Sequence, residues 1–122
     1  MVNFSDLIGK TLIEVVSSVG AEDSTFKTDD GSEYKLYHNL DCCESVTVED
    51  ISGDLQDLIG SPIIQADESS SSENPDDGTV PEYQESFTWT FYRIATAKGL
   101  VVIRWYGSSN GYYSESVDFD KI

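Results

Sequence analysis

The chain has 122 residues, enough for one domain that buries most of its apolar surface without disulfide or metal staples. Its 23 acidic and 7 basic side chains leave a formal charge of −16, which repels phosphate and anionic lipid and attracts basic surfaces, so direct nucleic-acid binding is not expected. No apolar run reaches the length of a membrane span, the opening "MVNFSDLIGK" lacks the basic flank and apolar core of a signal peptide, and Cys42 and Cys43 are adjacent, unable to close an ordinary disulfide loop; a protein of a reducing cytoplasm, away from membranes, is the expectation.

In chain order, residues 5–9 ("SDLIG") read as a short helical segment, with Asp6 in its first turn and Gly9 as its stop. A strand over residues 12–16 follows. Residues 28–31 ("TDDG") make a compact turn inside a hairpin whose second arm carries "KLY" at 35–37. Residues 38–46 ("HNLDCCESV") connect into a fourth strand. There Val46 and Val48 alternate with Ser45, Thr47 and Glu49, one face apolar and one wet, as in a half-buried antiparallel strand.

The pentad returns as "QDLIG" at residues 56–60, with Asp57 and Gly60 in matching places. A strand over 63–66 comes next. Residues 67–86 hold acidic, serine and proline residues and no lysine or arginine; so little apolar surface does not offset the entropy of ordering, and a flexible acidic loop is expected. Residues 87–107 are the most aromatic and β-branched of the chain, a hairpin about "TAKG" (96–99). Phe87, Trp89 and Phe91 share one face, Val101, Ile103 and Trp105 form another period-two set, and this hairpin is expected to supply the core. A larger loop with Asn110 and Gly111 at its turn leads to a last strand, where Val117 and Phe119 alternate with Ser116, Asp118 and Asp120.

These matches are collinear. "TDDG" answers "TAKG", "KLY" answers "RWY", and "ESVTVEDI" (44–51) answers "ESVDFDKI" (115–122), with an offset growing from 51 to 71 residues. The expected fold is α+β, mainly antiparallel β, in a single domain over residues 1–122. Within it, residues 5–51 and 56–122 would be two copies of a short helix plus four strands, related by a pseudo-twofold axis.

Chemistry-bearing residues concentrate at 38–46. His38, Asp41, Cys42 and Cys43 are of the type that holds zinc, and His38 beside a cysteine, oriented by Asp41 or Glu44, is the raw material of a thiol nucleophile. Neighbouring strand residues point to opposite faces, however, and a structural connection with one cysteine packed as a small apolar group is the favoured reading. Glu44 and Glu115 fall in phase with the apolar residues of their strands, so both are expected to point inward and to accept from backbone N–H groups or meet a basic residue, with Lys35 and Arg104 in matching places on the adjacent strand; acid–base chemistry is the lesser alternative. Residues for partner binding are the loop carboxylates Asp67, Glu68, Glu73, Asp76, Asp77, Glu82 and Glu85, and the tyrosine anchors Tyr112 and Tyr113. No phosphate loop or complete calcium loop is present, and no cofactor is expected.

At "HNLDCCESVTVEDISGDLQDLIGSPI" (38–63) and "TFYRIATAKGLVVIRWYGSSNGYYSESVDF" (90–119) the chain resembles a family of small, uncharacterised bacteriophage and prophage proteins. The resemblance supplies no catalytic residue. It implies an accessory protein acting in the bacterial cytoplasm, a class that often blocks a host defence or nucleic-acid enzyme in the anti-CRISPR manner. The expected function is therefore a non-enzymatic inhibitor engaging a basic surface of a host protein, its carboxylates lying where phosphates would lie. A metal- or thiol-dependent activity centred on residues 38–44, or a virion or assembly component, is the alternative, and the oligomeric state is left open.

Overall fold

Alternation of β-branched and aromatic residues with polar ones makes strand the dominant state of this chain. The computed structural model describes residues 2–40, 44–71, 86–109 and 114–122. In them a 3-10 turn, Phe4–Leu7, precedes strands β1 (Leu12–Val16), β2 (Asp23–Thr28), β3 (Glu33–Tyr37) and β4 (Ser45–Ser52). A second 3-10 turn, Leu55–Leu58, precedes β5 (Gln65–Ser71), β6 (Ser86–Thr96), β7 (Gly99–Ser109) and β8 (Asp118–Lys121). The class is mainly antiparallel β, and both expected helices are single 3-10 turns.

The strands form two four-stranded sheets, ordered β1-β2-β3-β8 and β4-β7-β6-β5, with every neighbouring pair antiparallel. The first sheet takes β1, β2 and β3 and adds β8 from the far end of the chain, whereas the second is built of the four consecutive strands β4 to β7. Between the sheets lies one core that joins Leu12, Phe26, Tyr34 and Leu36 to Val48, Ile94, Ile103 and Trp105. Leu7 and Leu58, one from each 3-10 turn, are fully buried in it.

Both turns stop in the same way. An extended residue, Ile8 or Ile59, is followed by a glycine at positive φ, Gly9 at 89° or Gly60 at 85°, a conformation that costs glycine little. The freed amides then cross between the halves: Gly9 N–H donates to Ile63 O (2.8 Å) and Gly60 N–H to Leu12 O (3.0 Å).

Three expectations are corrected. The strand placed at 63–66 is β5, which runs Gln65–Ser71 and pairs along β6, so residues 67–71 of the acidic stretch are laddered strand. An edge strand leaves polar side chains in water while its backbone is satisfied, which is why "DESSS" can be strand here; residues 72–85 lie outside the described residues. The aromatic face of β6 is also reversed. Tyr92 and Ile94 enter the core, whereas Trp89, fully buried, sits on the opposite face against Tyr106 at 4.6 Å and beneath Arg104 at 5.2 Å. Last, the final strand begins at Asp118, so residues 115–117 lead into it rather than belong to it.

Candidate functional site

The sequence of β8, "DFDK", alternates, and its register on β3 sets Asp118 opposite Tyr37 and Asp120 opposite Lys35. Phe119 turns to the other face, stacks nearly parallel on Tyr34 at 5.5 Å and meets the edge of Phe4 at 5.3 Å. Facing this strand, β5 buries Ala66 and exposes Asp67 and Glu68. Between β8 and β5, closed on one side by the first 3-10 turn, is a groove of about 610 Å³ floored by Phe4, Ala66, Val117 and Phe119. Asp67, Glu68, Asp118 and Asp120 line its walls, and no lysine or arginine lines it among the described residues.

The carboxylates are held by neutral donors and one cation. Gln65 Nε2 donates to Asp67 (2.8 Å), whose other oxygen is 3.6 Å from the Arg93 guanidinium. Tyr92 Oη donates to Glu68 (3.2 Å), and Tyr37 Oη to Asp120. Burial first, then the Glu68 charge, pushes the Tyr92 phenol far above its ordinary range; the hydrogen bond to Asp120 is the leading influence that raises Tyr37. Both tyrosines therefore remain neutral donors at physiological pH. Four carboxylates over an apolar floor concentrate a negative potential that favours a cationic occupant.

A second polar cluster sits where β3 ends. His38 Nδ1 donates to Ser116 O (2.7 Å), and Nε2 lies 2.8 Å from Glu44 Oε2. Their side chains are 5% and 0% exposed. A carbonyl can only accept, so with Glu44 ionised both ring nitrogens carry protons and the pair is an imidazolium–carboxylate bridge. Burial is the largest single influence and pulls the imidazole down. The hydrogen bonds to Glu44 and Ser116, with the charges of Glu44 and Asp118, together outweigh it and leave His38 above its ordinary 6.5.

Of the residues singled out by sequence, Asp67 and Glu68 are brought into the groove. Glu73, Asp76, Asp77, Glu82, Glu85, Tyr112 and Tyr113 lie outside the described residues, as do Asp41, Cys42 and Cys43. His38 has both ring nitrogens engaged, and no group of three or more metal-ligating side chains occurs among the described residues. Glu44 is buried as expected, but its partner is His38, not Lys35. Glu115 accepts from Thr88 Oγ1 (3.0 Å) and Ser109 Oγ (2.6 Å), not from Arg104. Arg104 instead donates to Glu49 at 2.6 Å, and Lys35 lies over the Tyr37 ring at 5.1 Å. The reason is the strand pairing: β4 lies against β7 and β8 against β3, and Glu44 and Glu115 sit in the connections before β4 and β8, away from Lys35 and Arg104 respectively. Asp118 and Asp120 were visible as the wet face of the last strand; that this strand is an edge was not.

No helix in the described residues is long and apolar enough to cross a membrane. Comparison with curated proteins and with solved structures finds no match to either. The family model described as a domain of unknown function, DUF7448, matches residues 5–119. Spanning nearly the whole chain, from the first 3-10 turn into β8, that match places it: the chain belongs to the DUF7448 family.

Proposed function

We propose that this chain is a non-enzymatic binding protein whose groove between β5 and β8 engages a basic surface of a partner protein. The observation that carries this reading is the groove's composition, four carboxylates over an apolar floor with no lining lysine or arginine, on a chain of net charge −16. Low-dielectric walls of one sign focus the field, speed encounter with a cation and disfavour acidic competitors. The resemblance to small phage and prophage proteins suggests the class of partner, a bacterial host protein that handles nucleic acid or acts in defence, which the carboxylates would meet in place of phosphates. The role is then that of an accessory inhibitor in the bacterial cytoplasm.

The test compares the wild-type chain with the triple variant Asp67→Asn, Glu68→Gln, Asp118→Asn, each immobilised and exposed to bacterial lysate. These amides keep the shape and the hydrogen-bond acceptors of the groove while removing its charge. The expected result is a basic protein retained by the wild type, released by salt and not retained by the variant. Equal retention by both chains overturns the reading.

The same reading takes the fold as a duplicated unit. What supports it is the order of elements, a 3-10 turn and four strands in each half, the exchange of β4 and β8 between sheets, and the reciprocal bonds of Gly9 to Ile63 and Gly60 to Leu12. In such a dyad the two sheets have equivalent edges, and among the described residues the larger acidic groove lies on the β8 side, whereas the β4 side has a smaller pocket lined by Glu22 and Glu44. Divergence between the copies would then have produced the binding face.

A further inference from the structure

We propose that the outer edge of β8 is a docking strand: an extended, basic segment of the partner adds to it as a fifth strand of the β1-β2-β3-β8 sheet. This deepens the reading of the groove as a site for a basic partner and rests on it. The argument begins with hydrogen-bond parity. Ile122 N–H donates to Glu33 O (2.8 Å), so in this antiparallel ladder the bonded pairs are 33/122, 35/120 and 37/118. Phe119 and Lys121, opposite Leu36 and Tyr34, consequently aim N–H and C=O away from β3. β8 is the last strand of its sheet, and among the described residues no backbone group meets those of Phe119 or Lys121.

The matching position in the other sheet differs. Val48, aligned with Phe119 through "ESVTV" and "ESVDF", has its outward groups filled, accepting from Gly20 N–H (2.7 Å) and donating to Ala21 O (2.9 Å). One edge is capped by the chain itself, and its counterpart opens on the groove. Bare edges template pairing, and charges on them select what may pair. Asp118 and Asp120 share one face of β8, so an added strand places alternate residues beside them, where lysine or arginine is favoured and acidic residues are repelled. The intervening residues pass over Phe119 and Phe4, where apolar side chains fit. A second copy of this chain is a poor occupant, because β8 against β8 sets aspartates against aspartates.

The probe is a short fluorescein-labelled peptide of alternating lysine and valine, titrated against the full chain at low salt and read by anisotropy. Lys121→Pro removes one outward N–H from an exposed position that does not bond β3; Lys121→Ala removes the same charge and keeps the N–H. Electrostatics alone makes both variants bind as tightly as the wild type or more so. Strand addition makes Lys121→Pro weaker than Lys121→Ala by roughly three- to tenfold, the worth of one hydrogen bond, with the Phe119 amide protected from exchange when peptide is bound. A peptide of the same sequence N-methylated at alternate amides should bind wild-type protein at least as much more weakly, which decides the matter even if the proline variant does not fold. Equal binding of methylated and plain peptides overturns strand addition while leaving the basic groove intact; no binding of either overturns both. A peptide-free dimer broken by Lys121→Pro assigns the edge to a second copy and overturns the proposal.

Discussion

His38 and Glu44 make a buried bridge whose strength depends on a proton. The folded His38 titrates above 6.5, so its contribution is complete below the unfolded value and is lost as pH rises through the raised folded value. Urea unfolding should therefore give a midpoint that falls as pH is taken from about 6 upward, over the span in which an imidazole titrates. Glu44→Gln should lower stability at about pH 6 by about 1.5–3 kcal/mol, the scale of a hydrogen bond to a charged group, and should flatten that pH dependence. Unaltered stability with the same slope would mean that the bridge contributes nothing. The sequence placed Glu44 inside correctly from its phase with Val46 and Val48. It also set Glu44 beside His38, though only as a group orienting a thiol nucleophile; it gave no sign of the ring's second partner, Ser116, which lies 78 residues along the chain.

At the scale of elements, close approach sets the tolerance to change. Gly53, between β4 and the second 3-10 turn, has φ 97°, and a β-carbon there would lie 2.4 Å from Leu100 O. Gly53→Ala should therefore cost about 2 kcal/mol or more, from backbone strain and steric displacement of β7 together, read from a lowered urea midpoint. Much at this scale was legible in the sequence. An apolar, β-branched run outlined β1 at residues 12–16, and the "DDG" and "AKG" turns identified both hairpins, because each signal is local. Two things were hidden. β6 carries bulky residues on both faces, Phe87, Trp89 and Phe91 against Tyr92 and Ile94, and a period of two says nothing about which face meets the other sheet. β5 is polar enough to read as loop, and only the ladder to β6 makes it a strand. The same non-locality concealed half of the groove: Asp67 and Glu68 drew notice as part of an acidic run, whereas Asp118 and Asp120 matter because β8 has crossed to the far sheet and become its edge.

At the scale of the whole molecule, two interlocked sheets share one core, so neither half should unfold without the other. Leu7 and Leu58 occupy corresponding places and are both fully buried. Leu7→Ala and Leu58→Ala should each cost about 2–5 kcal/mol, with a single unfolding transition reported by both tryptophan fluorescence and circular dichroism. Two separable transitions would contradict the shared core. The pairing of β8 with β3 also brings carboxylates distant in sequence to one groove, and the proposed function is that this groove selects a cation. That claim is tested most directly by isothermal titration of a lysine-rich peptide into the wild-type chain and into the Asp67→Asn, Glu68→Gln, Asp118→Asn variant, at about 50 mM and about 500 mM salt, where the screening length shrinks several-fold. The account predicts wild-type binding that weakens by roughly tenfold or more with salt and a variant that binds poorly at both concentrations; wild-type affinity indifferent to salt, or a variant that binds as well as the wild type, would contradict it.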